Sequence, residues 1–475
     1  MRTLRIRAIV AVTAAWLVTV NFALPARAAD TSIERVSVSS TDAQGNSSSS
    51  SPEVSADGRY IAFASYATNL VPDDTNQKSD IFVRDRFTGA TERVSTTPNG
   101  TQADWESSDP AISADGRYVA FATDLAIDDL HHSLDVYVHD RVTGSTGQVN
   151  NTNNSGVLNN FSFSPAISAD GRYIAFTSWA TDLVPDDTNQ TTDIFVYDRT
   201  NGSTQRVNIS GTGAQADQFS FQPALSADGR YVAFSSWAGN LVDEDTNQAM
   251  DVFVHDRASG TTQRVNVTST GAQSRNVGSD PSISADGRVV AFQSYGADLV
   301  PDDTNQTADI FVHDRGAGTT QRVSSTSTGT QANAESYDPM ISADGRHVAF
   351  ASYATNLVPD DTNQSADVFL RDLTTGITRR VDVSYTGGQA DQGGQEPAVN
   401  TNGQYVAFAS YAANLVPNDT NQAMDVFFRD LELRGGSQPT APATVTPSPE
   451  PPGPPQPPVS ALIPQPPAAT SVPQP

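Results

Sequence analysis

The sequence contains no cysteine, and Lys78 is its single lysine. Without cysteine the chain forms no disulfide, no thiolate metal site and no cysteine nucleophile. Acidic residues outnumber basic ones by 54 to 28, which gives a formal net charge of −26. Because a chain of this charge is repelled by a phosphate backbone, we predict no nucleic-acid partner.

Long hydrophobic runs are confined to the N-terminus. There the mostly apolar stretch from Ala8 to Leu24 follows an arginine-rich start and precedes the small residues Ala26 and Ala28. This order predicts a secretory signal peptide over residues 1–28, with a retained anchor as the alternative. No other segment is long enough to span a bilayer, so we expect a secreted or cell-envelope protein, extracellular or periplasmic.

Common catalytic motifs are also missing, since neither G-x-S-x-G nor H-E-x-x-H occurs. His139, His255 and His313 share one position of an internal repeat. Residues that recur with a repeat are more often structural than catalytic, so the sequence favours a binding protein over an enzyme. A sugar-cleaving site needs only two carboxylates, however, and a glycan-active hydrolase stays the alternative.

The chain is built largely of an internal repeat. The motif S-A-D-G-R-Y-V-A-F recurs seven times with small variations, followed in six copies by D-T-N-Q-x-x-D-[IV]-F-[VLF]-x-D. The glycines of the first motif stand 58 or 55 residues apart, at Gly58, Gly116, Gly171, Gly229, Gly287, Gly345 and Gly403. A regular period of this length indicates a repeat architecture.

Each repeat can be divided into four strands. In the third copy they are Pro165–Ser168, Tyr173–Ser178, Asp193–Asp198 and Thr204–Asn208, separated by turn-forming residues. The second strand is apolar or small on both faces, which suits a sheet packed between two neighbours. The sequence therefore predicts an all-β, seven-bladed β-propeller of four-stranded blades.

The two ends of the array predict how the ring closes. The last repeat stops after its third strand, Asp425–Asp430, and the missing fourth strand resembles Ile33–Ser37 at the front of the chain. An N-terminal strand that completes the last blade removes the open edges of the array. We therefore place a monomeric propeller at 32–433, followed by a Pro-rich disordered tail at 435–475.

The two repeat motifs resemble the TolB-type β-propeller repeat, a WD-repeat-like unit of exported bacterial proteins. The resemblance covers roughly residues 32 to 433. It implies a propeller that serves as an interaction platform in the periplasm or outside the cell. The motifs identify the fold and leave the ligand open.

The loops between the second and third strands are acidic, with Asp73, Asp74 and Asp80 in the first repeat. Asp74, Asn76 and Asp80 offer oxygens at a spacing that partly matches calcium loops. The alternative is that Asp74 and Asn76 form Asx turns while Asp80 accepts backbone N–H bonds. Equivalent candidates for calcium, the only cofactor considered, are Asp187, Asn189, Asp193, Asp303, Asn305, Asp309, Asp361, Asn363 and Asp367.

A second candidate site is the mouth of the central channel on the acidic face. The residue before the proline of each first strand breaks the uniformity of the repeat: Ser51, Asp109, Ser164, Gln222, Asp280, Asp338 and Glu396. One interpretation is a ligand site formed by the carboxylates of Asp109, Asp280, Asp338 and Glu396. The alternative is that these positions are exposed to solvent and vary without functional constraint.

Aromatic residues form a third candidate site. One register at the end of the second strand holds Tyr66, Trp179, Trp237, Tyr295, Tyr353 and Tyr411. Trp179 and Trp237 could stack sugars or hold cationic side chains; packing between blades is the alternative. Together these features predict a non-catalytic scaffold that binds a protein, a peptide or a glycan through its acidic face.

Overall fold

In the computed structural model all regular structure of the described residues is β, and their 28 strands form seven four-stranded antiparallel sheets. The sheets stand as blades around a central axis, which confirms the predicted seven-bladed propeller. The structure describes residues 32–97, 99–125, 134–150 and 160–432. The predicted signal peptide and Pro-rich tail lie outside these residues. Within them, no helix has the length and apolarity needed to cross a membrane.

Blades are numbered 1 to 7 in chain order, and each runs outward from the axis. The innermost strands are β2 (Ser49–Val54), β6 (Ser108–Ile112), β10 (Ser162–Ile167), β14 (Ser220–Leu225), β18 (Gly278–Ile283), β22 (Ser336–Ile341) and β26 (Gly394–Val399). The second strands are β3 (Tyr60–Ser65), β7 (Tyr118–Thr123), β11 (Tyr173–Ser178), β15 (Tyr231–Ser236), β19 (Val289–Ser294), β23 (His347–Ser352) and β27 (Tyr405–Ser410).

The outer half of each blade consists of the third and fourth strands. The third strands are β4 (Asp80–Asp85), β8 (Asp135–Asp140), β12 (Asp193–Asp198), β16 (Asp251–Asp256), β20 (Asp309–Asp314), β24 (Asp367–Asp372) and β28 (Asp425–Asp430). The outermost strands are β5 (Ala90–Arg93), β9 (Ser145–Gln148), β13 (Ser203–Arg206), β17 (Thr261–Arg264), β21 (Thr319–Arg322), β25 (Thr378–Arg380) and, in blade 7, β1 (Ile33–Arg35).

The ring closes through β1, as the sequence predicts. This strand pairs antiparallel with β28, placing Ile33 opposite Arg429 and Arg35 opposite Phe427. The backbone N–H of Val36 extends the ladder by donating to the carbonyl of Val426 over 2.8 Å. Blade 7 thereby gains its fourth strand from the other end of the chain, and β28 does not remain an open edge.

The apolar core lies between blades. In blade 1, Phe63 and Phe82 stack with their ring centroids 5.9 Å apart, and both side chains are fully buried. Ala407, Val426 and Phe428 of blade 7 complete the same cluster. Each of the seven apolar clusters joins two neighbouring blades in this way. Both faces of a blade are therefore covered, which is why its central strands are apolar on both sides.

Arginine–aspartate pairs fasten the turn face, the end of the propeller that carries the turns after the first and third strands. In blade 1 the guanidinium of Arg59 donates to both carboxylate oxygens of Asp85, over 3.0 and 2.7 Å. Burial opposes ionisation of Asp85, but hydrogen bonds from Arg59 and the adjoining turn outweigh it and lower the pKa to about 2. The same pair recurs in blades 2 to 6. Charges on the turn face therefore largely cancel.

Candidate functional site

The opposite end of the propeller, which we call the mouth face, carries the entrance of the central channel. Each innermost strand contributes to it one residue with a strained backbone. Side chains rarely adopt a left-handed backbone, yet seven non-glycine residues do so here, each just before a proline. They are Ser51, Asp109, Ser164, Gln222, Asp280, Asp338 and Glu396, with φ between 49° and 55°. All seven line one central channel. The structure thus brings the seven sequence-predicted mouth residues into one ring.

A β-bulge gives the ring its shape. Pairing between β2 and β3 shifts between Ser50 and Glu53, and the six other blades show the same irregularity. Such a bulge re-aims side chains and leaves backbone groups unpaired in the ladder. The freed N–H of Ser51 donates to Oε2 of Glu396 in the neighbouring blade, over 2.7 Å. The N–H of Asp280 donates likewise to Oε1 of Gln222, over 3.3 Å.

Charge is distributed unevenly around the mouth. Blades 5, 6 and 7 carry Asp280, Asp338 and Glu396, which we call the acidic arc, while Ser164 and Gln222 of blades 3 and 4 are neutral. No lysine, arginine or histidine is among the described residues that line the channel. Burial and the charges of Asp280 and Glu396 raise the pKa of Asp338 to about 6. The arc is therefore a strongly anionic environment without its own counter-cation.

Below the mouth the channel holds one more carboxyl, Glu53, which the sequence analysis missed. Its position follows the strand-one proline, where the other blades carry small or apolar residues: Ala111, Ala166, Ala224, Ser282, Met340 and Ala398. The side chain is partly exposed to the channel lumen and otherwise enclosed by protein. This burial raises the pKa of Glu53 to about 7. The sequence did contain a signal for it, because Glu53 is the single charged residue at a repeat position that is uncharged in the six other blades.

The channel wall beyond Glu53 is apolar. A ring of branched side chains follows, formed by Val54, Ile112, Ile167, Leu225, Ile283, Ile341 and Val399. Two residues after this ring, alanines such as Ala56 and Ala114 continue the apolar lining. The cavity measures about 640 Å³. It is thus large enough for a small ligand or an extended segment, and its polar chemistry is concentrated at the mouth and at Glu53.

Aromatic side chains cover the neutral side of the mouth face. Phe161, Phe163, Trp179, Phe219, Phe221 and Trp237, from blades 3 and 4, make up what we call the aromatic patch. Trp179 meets Phe219 edge to face at 5.4 Å, and Phe219 stacks on Phe221 at 6.0 Å. Phe161 is nevertheless 50% exposed and Trp237 38% exposed. Packing between blades therefore does not bury this register, and the patch faces solvent beside the acidic arc.

The predicted calcium triads lie further out, where the third and fourth strands meet. In blade 1, the guanidinium of Arg93 stands 3.7 Å from Asp74 and 3.6 Å from Asp80. Gln102 donates its amide to the same two carboxylates, over 2.8 and 3.0 Å. Asn76 accepts from a backbone N–H in an Asx turn and turns its amide nitrogen toward Asp80. An arginine and two amides thus occupy the space between the carboxylates.

The other candidate triads have the same arrangement. Arg206 lies 3.3 Å from Asp187 and 3.4 Å from Asp193. Arg322 approaches Asp303 in blade 5, and Arg380 approaches both carboxylates in blade 6. Asn189, Asn305 and Asn363 each donate to the following aspartate, which is Asp193, Asp309 or Asp367. Among the described residues, no three or more His, Asp or Glu side chains are grouped to hold a metal ion.

The histidines of the shared repeat position belong to the third strands, and their side chains are buried. His255 is fully buried, and its Nδ1 lies 2.9 Å from the hydroxyl of Thr262. Burial lowers the pKa of His255 to about 4, so the imidazole stays neutral at physiological pH. His139 and His313 make the same contact. These side chains therefore serve the packing of the blades and do not reach the mouth.

Comparisons with known proteins extend to fold only. No protein-family model matches the chain, and no curated protein is detectably similar in sequence. Solved propellers do resemble it. Oligogalacturonate lyase from Vibrio parahaemolyticus is 11% identical, with a TM-score of 0.50, over 85% of this chain and 95% of the lyase. The β-propeller domain of the trilobed protease from Pyrococcus furiosus gives 11% and 0.50, over 81% and 96%.

TolB from Acinetobacter baumannii is also similar, at 20% identity, with a TM-score of 0.35 over 58% of this chain. The match spans about half of that TolB, 54% of its length. The neighbours with a TM-score of 0.50 are a lyase and the propeller domain of a protease, and at 11% identity they show the fold alone.

Proposed function

We propose that this propeller is a non-catalytic binding scaffold whose ligand is a protein or peptide segment rich in cationic and aromatic side chains. The observation that carries the proposal is the juxtaposition on the mouth face. The solvent-exposed aromatic patch adjoins the acidic arc, and the described residues that line the channel beside them include no basic one. Exposed aromatic clusters beside uncompensated charge are features of interaction surfaces.

The two halves of this surface have different tasks. Rings such as Phe161 and Trp237 offer large rigid surfaces that stack on aromatic or guanidinium groups. The acidic arc attracts cations from a distance and favours arginine and lysine over acidic residues. The predicted signal peptide would take the protein to the cell envelope or the medium, where such a scaffold meets its partner. The scaffold works as a monomer.

The test is a binding measurement with two labelled peptides of equal length. One contains arginine and tryptophan, and the other has glutamate in place of arginine. We expect the basic peptide to bind and the acidic one not to, with affinity falling as salt rises. Phe161→Ala and Trp237→Ala should each weaken binding by about 3- to 30-fold.

Phe87→Ala is the matched control. Phe87 is 59% exposed, but it lies in the turn after the third strand of blade 1, on the turn face. Its removal should leave binding unchanged. Equal losses in Phe87→Ala and Trp237→Ala, or no binding of either peptide, would overturn the proposal. If neutral oligosaccharides bind and the basic peptide does not, the ligand is a glycan and the peptide proposal is wrong.

A second candidate function is a glycan-active hydrolase, favoured by Asp338 alone. Its raised pKa beside the carboxylates of Asp280 and Glu396 is the pattern of a general acid next to ionised partners. Purified protein should then release reducing ends from a polysaccharide panel. Asp338→Asn and Asp280→Asn should lower that turnover by at least about a hundredfold. Turnover that survives both changes would remove this candidate.

A further inference from the structure

The channel contains a carboxyl for which the described residues provide no partner. Glu53 accepts no hydrogen bond and forms no ion pair there, although protein surrounds it on every side but the lumen. Enclosing a carboxylate without a donor is costly, and such groups in native proteins call for an explanation. The neighbouring blades do not supply a cation, because every charged residue among the described residues that line the channel is acidic.

The surroundings of Glu53 leave room for a ligand. Blade 1 stands between blades 7 and 2, whose residues at the same register are Ala398 and Ala111. Neither alanine can reach across to the carboxylate or donate to it. One step toward the mouth lie Glu396 and Asp109, and one step inward lies the apolar ring that begins with Val54. Access is thus along the channel axis, and a ligand that enters from the mouth passes carboxylates.

We infer that the channel is a binding site of its own, which takes a single ammonium or guanidinium group at the end of a slender chain and pairs it with Glu53. The inference rests on the proposed function in one respect: the group belongs to a lysine, an arginine or a terminal amine of the partner segment held at the mouth. The aromatic patch and acidic arc hold that segment outside, while Glu53 recognises one side chain inside.

Three properties support a slender cation over other ligands. A metal ion would need several oxygen ligands, and the described residues offer no cluster of three or more acidic or imidazole groups. An anion would meet five carboxyls and, among the lining residues that the structure describes, no basic group. The proline and branched-chain rings form apolar walls, against which the alkyl chain that carries the cation packs well.

The experiment uses small amines instead of the partner. Agmatine and 1,5-diaminopentane are titrated into the full-length secreted chain by isothermal calorimetry, with 1-pentanol as the uncharged control. Both amines should bind, and pentanol should not. Glu53→Gln should weaken amine binding by at least about tenfold, while Phe87→Ala, on the turn face, should leave it unchanged. The double variant Glu53→Gln with Ala224→Glu places a carboxyl at the equivalent position of blade 4, and it should restore amine binding.

The pH dependence gives a second readout. Glu53 has a pKa of about 7, and Asp338, on the acidic arc, has one of about 6. Amine affinity should therefore rise between pH 6 and pH 8, and Glu53→Gln should remove the upper part of the rise while Asp338→Asn removes the lower part. Asp280, Glu396 and Asp109 are the other charged groups facing this space.

The outcomes separate this inference from the proposed function. If the basic peptide binds but agmatine does not, or if Glu53→Gln leaves agmatine binding intact, the channel site is wrong and the mouth-face proposal stands. If agmatine binds through Glu53 but the basic peptide does not bind, the channel site stands and the mouth-face proposal fails. Binding of Ca²⁺ that depends on Glu53, without any amine binding, also overturns the inference.

Discussion

Gly116 of blade 2 leaves space for the ring of Tyr60 in blade 1. A Cβ built on Gly116 would lie 2.1 Å from Cδ2 and 2.7 Å from Cγ of Tyr60, so the ring occupies the place where any other side chain would begin. Arg141 of blade 2 also contacts this ring, with its guanidinium carbon 4.2 Å from the centroid. This one contact combines a left-handed turn, a close approach and a cation–π pair across a blade boundary.

We predict that Gly116→Ala destabilises the propeller more than Gly144→Ala. Both glycines have φ of 71°, but a Cβ on Gly144 meets nothing within 4 Å. Gly144→Ala should cost about 1–2 kcal/mol from backbone strain alone. Gly116→Ala should cost at least about 3 kcal/mol, because the base of the Tyr60 ring cannot move aside. Denaturant unfolding measures both; equal losses would show that the inter-blade contact does not matter.

Stability should depend on pH through Glu53. Its pKa is raised from 4.5 to about 7 in the folded chain, so between these values the folded state binds the extra proton and stability falls as pH rises. Below pH 4.5 both states are protonated, and above pH 7 the loss is complete. Glu53→Gln should therefore match the parent protein at pH 4 and exceed it by about 1–3 kcal/mol at pH 8.

Chemical denaturation across this pH range, with Asp243→Asn as an exposed control, checks the prediction. The control should show no pH-dependent difference from the parent. A Glu53→Gln variant that is less stable than the parent at pH 8 would contradict the assigned burial of Glu53.

The closing strand should be required for a monomeric ring. A chain that begins at Val38 lacks β1 and exposes the edge of β28, whereas a chain that begins at Ser32 keeps the pairing of Ile33 with Arg429. The shorter chain should melt at least about 5 °C lower and self-associate through the open edge. Light scattering and calorimetry measure both effects. A shorter chain that stays monomeric with an unchanged melting temperature would argue against the role of β1.

Chelation should leave the parent protein unaffected, because an arginine fills each candidate calcium triad. With EDTA we expect no change in the melting temperature. Arg206→Met should release Asp187 and Asp193 from their cation, and added Ca²⁺ should then raise the melting temperature of this variant. The pKa of Asp187, already raised to about 6 by burial and by Asp193, makes the pair sensitive to that loss. A fall in the parent's melting temperature with EDTA would instead support the calcium interpretation.

The architecture could be predicted from the sequence because each repeat has apolar residues on both faces. Such a unit has no stable form alone and must pack against copies of itself. The similarity of Ile33–Ser37 to the missing last strand then indicated ring closure, and β1 pairs with β28 accordingly. The mouth residues followed from the same register. Asp280 and Asp338 line the channel because a position repeated every 58 residues forms a ring.

The properties of the site could not be predicted in the same way, because they depend on residues far apart in the chain. The segment from Asp42 to Phe87 contains no information about the alanines of blades 2 and 7 that leave Glu53 unpartnered. Trp237 was compatible with burial between blades, and only its place at the end of β15 leaves it 38% exposed. Arg93 comes 13 residues after Asp80 in the chain. Because β5 pairs antiparallel with β4, its guanidinium lies near the carboxylates of Asp74 and Asp80.

The sequence by itself therefore determined the number of blades, their strand order and the way the ring closes, because these follow from local patterning and repetition. The tertiary structure decided which side chains meet solvent, which charges find partners and how the pKa of Glu53 shifts. Those outcomes depend on enclosure by several blades at once, and desolvation is a property of the folded surroundings, which no single stretch of residues contains.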